Sequence, residues 1–242
     1  MSFEHATKQA IEKYVEAHLP DDNWYKRYFD FVCDAELAAR LAEEFKAARA
    51  IYKIFRGLDA TDWWQRAQVR IQVLQYASIY EAVIHHVLFD RLGATDEVRL
   101  LVEFSRLVKI SIPQQMQIQL DRALNHDGKV IVPTYQGTGR MDEQKVRFDD
   151  KASCAVSLGL LDQTLCDEII AIYGARNAIH LQAELRKNLK YEINLARTAY
   201  RRLEPFRAQM VTALKARGLL LSTVSIDSTL EDDAYVEGKN EE

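Results

Sequence analysis

Residues 63 to 92 restrict the possible folds of this chain more than any other stretch. Asp62 to Gln65 has the spacing of a capping box, and Gly93 closes the far end. From Ile71 onward, apolar residues occupy almost every side of the helix that this pattern predicts. Because a helix that is apolar all round must be buried, the sequence predicts a central helix surrounded by other elements.

The composition is typical of an all-α protein with a proper core. The 242-residue chain is 48% hydrophobic and has only nine glycines and four prolines. Its three cysteines, Cys33, Cys154 and Cys166, have no CxxC spacing, so we expect neither a disulfide framework nor a metal site, and no cofactor. An odd number of free cysteines suits a reducing compartment, and we expect a cytoplasmic protein.

No membrane partner is expected. The first ten residues lack the basic-then-apolar order of a signal peptide. Apolar runs elsewhere are shorter than a bilayer span and show the periodicity of packed helices. The pattern therefore predicts a soluble bundle.

Three regions are predicted along the chain. Residues 1 to 60 form an N-terminal helical extension, with helices over 3 to 19 and from Asp21 or Asp22 to about Arg56. Residues 61 to 220 form the main helical domain, and residues 221 to 242 form an acidic disordered tail.

The main domain is interrupted by an insertion at about residues 109 to 148. A helix over 95 to 108 precedes it, and the insertion itself contains strand-like and loop-like segments that are compatible with a small β-hairpin. Strands are predicted at 110 to 113, 129 to 133 and 145 to 148, a helix at 114 to 124, and a loop at 136 to 140. Helices are then expected at 151 to 158, from Asp162 past His180, at 189 to 203, and from Pro205 to Gly218.

The helix after Asp162 carries the candidate site. At about 100° per residue, Arg176 and His180 fall roughly 40° apart, one turn from each other, within its apolar stripe. One interpretation is structural, with Arg176 paired to a carboxylate and His180 a satisfied core histidine. The other is a phosphate-binding cleft in which Arg176 clamps the anion and His180 transfers a proton.

Glu81 is the notable polar residue of the central helix. It is interpreted either as a structural carboxylate that pairs with Arg176 or with a backbone amide, or as a group that orients Arg176 or His180. The adjacent His85 and His86 point about 100° apart on a helix, so neither is interpreted as a metal ligand.

Charge is distributed unevenly along the chain. Residues 221 to 242 hold seven acids and one base, a net charge of -6, whereas residues 176 to 217 hold ten bases and three acids, a net charge of +7. A basic stretch of this kind is either a solvated helix face or a track for a polyanion. The candidate RNA-binding bases are Arg186, Lys187, Lys190, Arg197 and Arg201.

The segment Arg176-Asn177-Ala178-Ile179-His180 resembles the motif of the HEPN superfamily, all-α proteins named for higher eukaryotes and prokaryotes nucleotide-binding. Tyr76 to Ala82 is similar to an early core turn of that fold, and Leu158 to Leu161 is similar to the approach to its motif helix. The resemblance covers about residues 61 to 217, apart from the insertion.

This resemblance implies a HEPN-like helical bundle that forms a homodimer with a composite site. Many members are metal-independent endoribonucleases that act as toxins or in phage defence, with RNA as substrate and an antitoxin or effector complex as partner. Arg176, Asn177 and His180 match the motif, and Glu81 matches loosely. The family usually has four to six residues between the arginine and the histidine, whereas this chain has three, which a regular helix would present on one face.

Two alternatives stay open at this point. A non-catalytic HEPN-like module would bind a nucleotide, RNA or a protein, and would use Arg176 and His180 as structural pins. A plain helical scaffold would have no relation to the superfamily.

Overall fold

Helix α4 (Asp62–His85) is the central element, and the prediction of a buried central helix is confirmed. It packs against α3 (Ala35–Gly57), α8 (Gln163–Asn177) and α10 (Ile193–Arg201). Because its neighbours cover several sides, its buried residues do not form one stripe. They include Val69, Val73, Tyr76, Ala77, Ile79, Tyr80, Val83 and Ile84.

The computed structural model describes residues 2 to 124 and 127 to 220; the segment 221 to 242, which was predicted to be disordered, lies outside them. The described chain is 68% helix with one small two-stranded sheet, in agreement with the predicted all-α class. The remaining helices are α1 (His5–Ala17), α2 (Asp22–Tyr28), α5 (Asp96–Val102), α6 (Gln114–Ala123), α7 (Phe148–Ser157), α9 (Leu181–Lys187) and α11 (Leu203–Ala216). No helix within these ranges is both long and apolar enough to cross a membrane.

The two ends of α4 differ from the prediction. The predicted capping box at Asp62 does not form. Thr61 is the N-cap residue and makes no side-chain capping bond, and Asp62 has a φ of 51°, not the extended backbone that an N-cap requires. At the other end the helix continues as a π-helix over His86–Arg91. The predicted helical stretch to residue 92 is thus helical, but its last turn is wider than an α-helix.

The N-terminal extension contains a break that the sequence pattern did not indicate. The predicted helix from Asp21 to Arg56 is two helices, because Asp34 accepts a hydrogen bond from the backbone N–H of Leu37 and begins α3. Phe29, Phe31 and Val32 between the helices are buried at this corner. They belong to the same hydrophobic core as α4, α8 and α11, so the extension packs into the main bundle.

Two antiparallel strands do pair in this region, but they are not where strands were predicted, and the first lies before the predicted insertion. Strand β1 (Glu103–Lys109) replaces the end of the predicted 95 to 108 helix, and antiparallel β2 (Thr134–Arg140) replaces the predicted 136 to 140 loop. The glycines of that segment make room for side chains across the ladder, since a Cβ at Gly139 would lie 2.7 Å from the Phe104 ring. The predicted strand at 145 to 148 is wrong as well, because Phe148 begins α7.

Candidate functional site

Arg176 lies in the last turn of α8, whose predicted N-cap is confirmed by the hydrogen bond from the Leu165 backbone N–H to Asp162. The Arg176 Nη1 donates to the Tyr173 hydroxyl at 3.0 Å and to the Asn177 side-chain oxygen at 3.2 Å. Its Nη2 lies 3.7 Å from a Glu81 carboxylate oxygen, within ion-pair range. The side chains of Arg176 and Glu81 are each 31% exposed, so solvent reaches the pair.

Tyr173 connects the other members of this group. Its hydroxyl donates to Glu81 at 2.9 Å, and its ring stacks on Phe148 of α7 with 4.0 Å between centroids. The Arg176 guanidinium lies 5.0 Å from the same ring, in a cation–π contact. Burial, reinforced by the Glu81 carboxylate, raises the pKa of Tyr173 to about 12, so its hydroxyl keeps its proton and acts as a fixed donor.

A second polar contact lies one turn further along α4. The buried Lys151 of α7 places its Nζ 3.1 Å from Nδ1 of His85, and both groups contact the Phe89 ring. Burial lowers the pKa of Lys151, although Glu81 and Glu143 oppose the shift. Burial and then the Lys151 charge lower the pKa of His85. This pair ties α4 to α7, as Tyr173 and Phe148 tie α8 to α7.

Below neutral pH, His85 is expected to lower the stability of the folded protein. The unfolded chain takes up a proton at His85 near pH 6.5, whereas the folded chain does so only at lower pH because its pKa is lowered. Stability that is present above pH 6.5 is therefore lost as the pH falls through that value toward the folded pKa. In urea unfolding at pH 7.5, 6.5 and 5.5, wild type should lose more stability than His85→Gln. Parallel stability curves for the two proteins would contradict this expectation.

The position of His180 differs from the prediction of a shared helix face. Helix α8 ends at Asn177, and His180 is the N-cap residue of α9, with an extended backbone. Its side chain is exposed and makes no hydrogen bond or ion pair with the described residues. The structure therefore brings Arg176, Asn177 and Glu81 together but places His180 beyond the turn that follows them.

Residues outside α8 explain why the helix ends there. The Tyr191 hydroxyl donates to the Ala175 carbonyl at 2.8 Å, and the Arg70 guanidinium donates to the Ile179 carbonyl. Ala178 between them is fully buried. Carbonyls at a helix end need partners, and here tertiary contacts supply them, so the chain turns instead of continuing as a helix.

The predicted RNA-binding bases differ in their exposure to solvent. Arg186, Lys187, Lys190 and Arg201 are exposed. Arg197 is partly buried and donates to Asn194 at 3.1 Å. Other bases of the stretch are engaged within the fold, in contacts between Arg202 and Glu168, between Arg207 and the Tyr28 carbonyl, and between Arg217 and the Leu158 carbonyl. The net charge of +7 therefore overstates the positive charge that faces solvent.

Four site residues went unassigned in the sequence analysis: Tyr173, Phe148, Lys151 and His85. Tyr173 had a usable signal, because a residue three positions before Arg176 lies on the same helix face. The other three come from α4 and α7, and 66 residues separate Lys151 from His85. Only the packing of those helices brings them to α8.

Comparison with known proteins adds no assignment. The chain matches no family model, and it has no significant match among curated proteins or solved structures. Among residues 2 to 124 and 127 to 220, no cluster of three or more histidines, cysteines and carboxylates is arranged to hold a metal ion.

Proposed function

We propose that this chain is a HEPN-type endoribonuclease that cleaves RNA without a metal ion, as a homodimer. The observation that carries the proposal is the state of Arg176. Three neighbours hold its guanidinium, yet the side chain remains 31% exposed. Two of its five N–H groups serve Tyr173 and Asn177, and a phosphate would bind through the others, of which those on Nη2 now face Glu81 at 3.7 Å. A prepositioned, solvent-accessible guanidinium is suited to binding an anion.

The chemistry uses the nucleophile that RNA itself carries. The 2′-hydroxyl attacks the adjacent phosphorus, a 2′,3′-cyclic phosphate forms, and the bond to the 5′-oxygen breaks. Arg176 stabilises the charge that develops on the phosphoryl oxygens. His180 takes the proton from the 2′-hydroxyl or gives one to the 5′-oxygen that leaves.

A second copy completes the site in this proposal. Within one chain, Arg176 and His180 share no hydrogen-bonding partner. In a dimer with the two α8 ends facing each other, His180 of one protomer would act on a phosphate held by Arg176 of the partner subunit. Glu81 and Tyr173 are positioning residues, and the exposed Arg186, Lys187, Lys190 and Arg201 contact the RNA backbone. A toxin or phage-defence effector restrained by an antitoxin would suit such an activity.

A non-catalytic binding module is the second candidate, and one observation favours it. The Glu81 carboxylate already faces the Arg176 guanidinium, and the Tyr173 hydroxyl links them. This is also how a structural arginine is satisfied. In that case the group would stabilise the fold or the dimer, or bind a nucleotide, RNA or a protein, without turnover.

Arg176→Ala separates the two candidates. Mixed RNAs are incubated in EDTA with wild type and with the variant, and both proteins are melted. We expect wild type to leave 2′,3′-cyclic phosphate ends, and the variant to be slower by about 10²- to 10³-fold. Its free energy of unfolding should change by about 1 kcal/mol or less, because a partly exposed ion pair contributes little.

The matched control is Arg40→Ala, which removes an exposed helical arginine that also pairs with carboxylates, Glu43 and Glu44. It should leave cleavage unchanged. Absence of cleavage by wild type, combined with a lower melting temperature or a dissociated dimer in Arg176→Ala, would favour the binding module.

A further inference from the structure

A groove of about 500 Å³ runs along the first half of α4 and reaches the turn before His180. Its lining includes Trp63, Arg66, Arg70, Ile71, Leu74 and Ile179. Ile179 directly precedes His180, and the Arg70 guanidinium holds the Ile179 carbonyl. The groove therefore adjoins the chain segment that carries His180, the proposed proton-transfer residue.

The apolar side chains of this groove are unusually open to solvent. Trp63 is 61% exposed, Ile71 40% and Leu74 39%. They follow one another at helical spacing along α4, whereas Val69 and Val73 on another side of the same helix are fully buried. An exposed apolar strip of this kind on a folded protein is typical of a binding surface.

The charges of the groove indicate what it binds. Among the described residues, two charged side chains line it: Arg66, which is exposed, and Arg70, which is paired with Glu184 at 3.4 Å. An aromatic face, aliphatic neighbours and a cation are the groups that bind an unpaired nucleotide, by stacking on its base and contacting its phosphate. A second copy seated groove to groove would instead bring the like charges of two such surfaces together.

We infer that this groove binds an unpaired nucleotide of single-stranded RNA, with its base stacked on Trp63 and its phosphate near Arg66. This inference rests on the proposed RNA substrate and adds a place for the nucleotide beside the one that is cleaved. Stacking tolerates any base, so the groove selects single-stranded over duplex RNA rather than one sequence.

Binding is tested with a labelled 12-nucleotide RNA whose 2′-hydroxyls are methylated, so that it binds but offers no nucleophile. Fluorescence anisotropy at low salt should show affinity roughly 5- to 150-fold weaker for Trp63→Ala than for wild type. Trp63→Phe, which keeps a ring, should bind within about threefold of wild type. The control is Phe3→Ala, since Phe3 is also an exposed aromatic residue but lies outside the groove, whereas Trp64 packs against Trp63 itself with 4.8 Å between ring centroids. It should bind like wild type.

Several outcomes would overturn the inference. These are no binding of the 12-nucleotide RNA by wild type, equal affinities for wild type and Trp63→Ala, equal losses in the two alanine variants, or duplex RNA binding as well as the single strand. A change in oligomeric state of Trp63→Ala in sedimentation, with unchanged RNA affinity, would assign the groove to a second copy instead. The nuclease proposal can fail separately. If wild type does not cleave RNA but binds it through Trp63, the groove inference stands and the nuclease proposal fails. If wild type cleaves RNA but Trp63→Ala binds the 12-nucleotide RNA as tightly as wild type, the nuclease proposal stands and the groove inference fails.

Discussion

Alanine in place of His180 is expected to slow RNA cleavage by about 10²- to 10⁴-fold, the usual contribution of a proton-transfer group. The same change should leave the free energy of unfolding within about 0.5 kcal/mol of wild type. The His180 side chain is exposed, makes no hydrogen bond or ion pair with the described residues and makes no capping bond at the start of α9, so little structure depends on it. Single-turnover cleavage of a labelled RNA in EDTA measures the rate, and urea unfolding measures the stability.

His5→Ala is the matched control, because His5 is likewise an exposed histidine at the start of a helix. It should cleave at the wild-type rate. Equal cleavage by wild type and His180→Ala would remove His180 from the mechanism even if Arg176 proves essential, and the proton transfer would then need another group.

Phe45→Ala is expected to cost about 3 to 5 kcal/mol of unfolding free energy, as other truncations of buried aromatic residues do. Phe45 is 1% exposed and lies at the centre of an aromatic cluster. The rings around it come from both the N-terminal helices and the main bundle, so the cavity would weaken both. They are Trp24, Tyr25, Tyr28, Phe29, Tyr76 and Tyr200, with ring centroids 4.9 to 6.4 Å from that of Phe45.

Urea unfolding followed by circular dichroism and by tryptophan fluorescence tests this expectation. Both signals should shift together to lower urea, because one core spans the N-terminal extension and the rest of the bundle. Phe3→Ala, at a phenylalanine that is 66% exposed, should shift neither. Two separate transitions in either signal, of which Phe45→Ala moves only one, would show that the extension unfolds on its own.

Local signals in the sequence were enough for several features of the fold. Asp162 begins α8 through a side-chain bond to a residue three positions away. Helix α7 ends within one residue of the predicted end at 158, and Gly159 follows it with a φ of 63°. The central position of α4 followed from its all-round apolar pattern. The two strands were misplaced because strand pairing depends on the opposite strand. The glycines of β2 favour a loop when the segment is taken alone, but in the structure they leave room for the Phe104 and Val108 side chains.

The candidate site was predictable only in part for the same reason. Pairing with Arg176 was one of the interpretations of Glu81, and the two side chains do lie within ion-pair range. The end of α8 depends on Arg70, which is 109 residues from the carbonyl it binds. No property of the segment 173 to 181 alone indicates that contact, so helical periodicity carried the predicted helix three residues too far.

Phe148 links the two-stranded sheet to the candidate site. The chain leaves β2 at Arg140 and reaches Phe148 through residues 141 to 147, and the Phe148 ring is the surface on which Tyr173 rests. Tyr173 in turn sets the angle of the Arg176 guanidinium. A displacement of the two strands that moved the start of α7 would therefore also move the ring on which Tyr173 rests, and with it the Arg176 guanidinium.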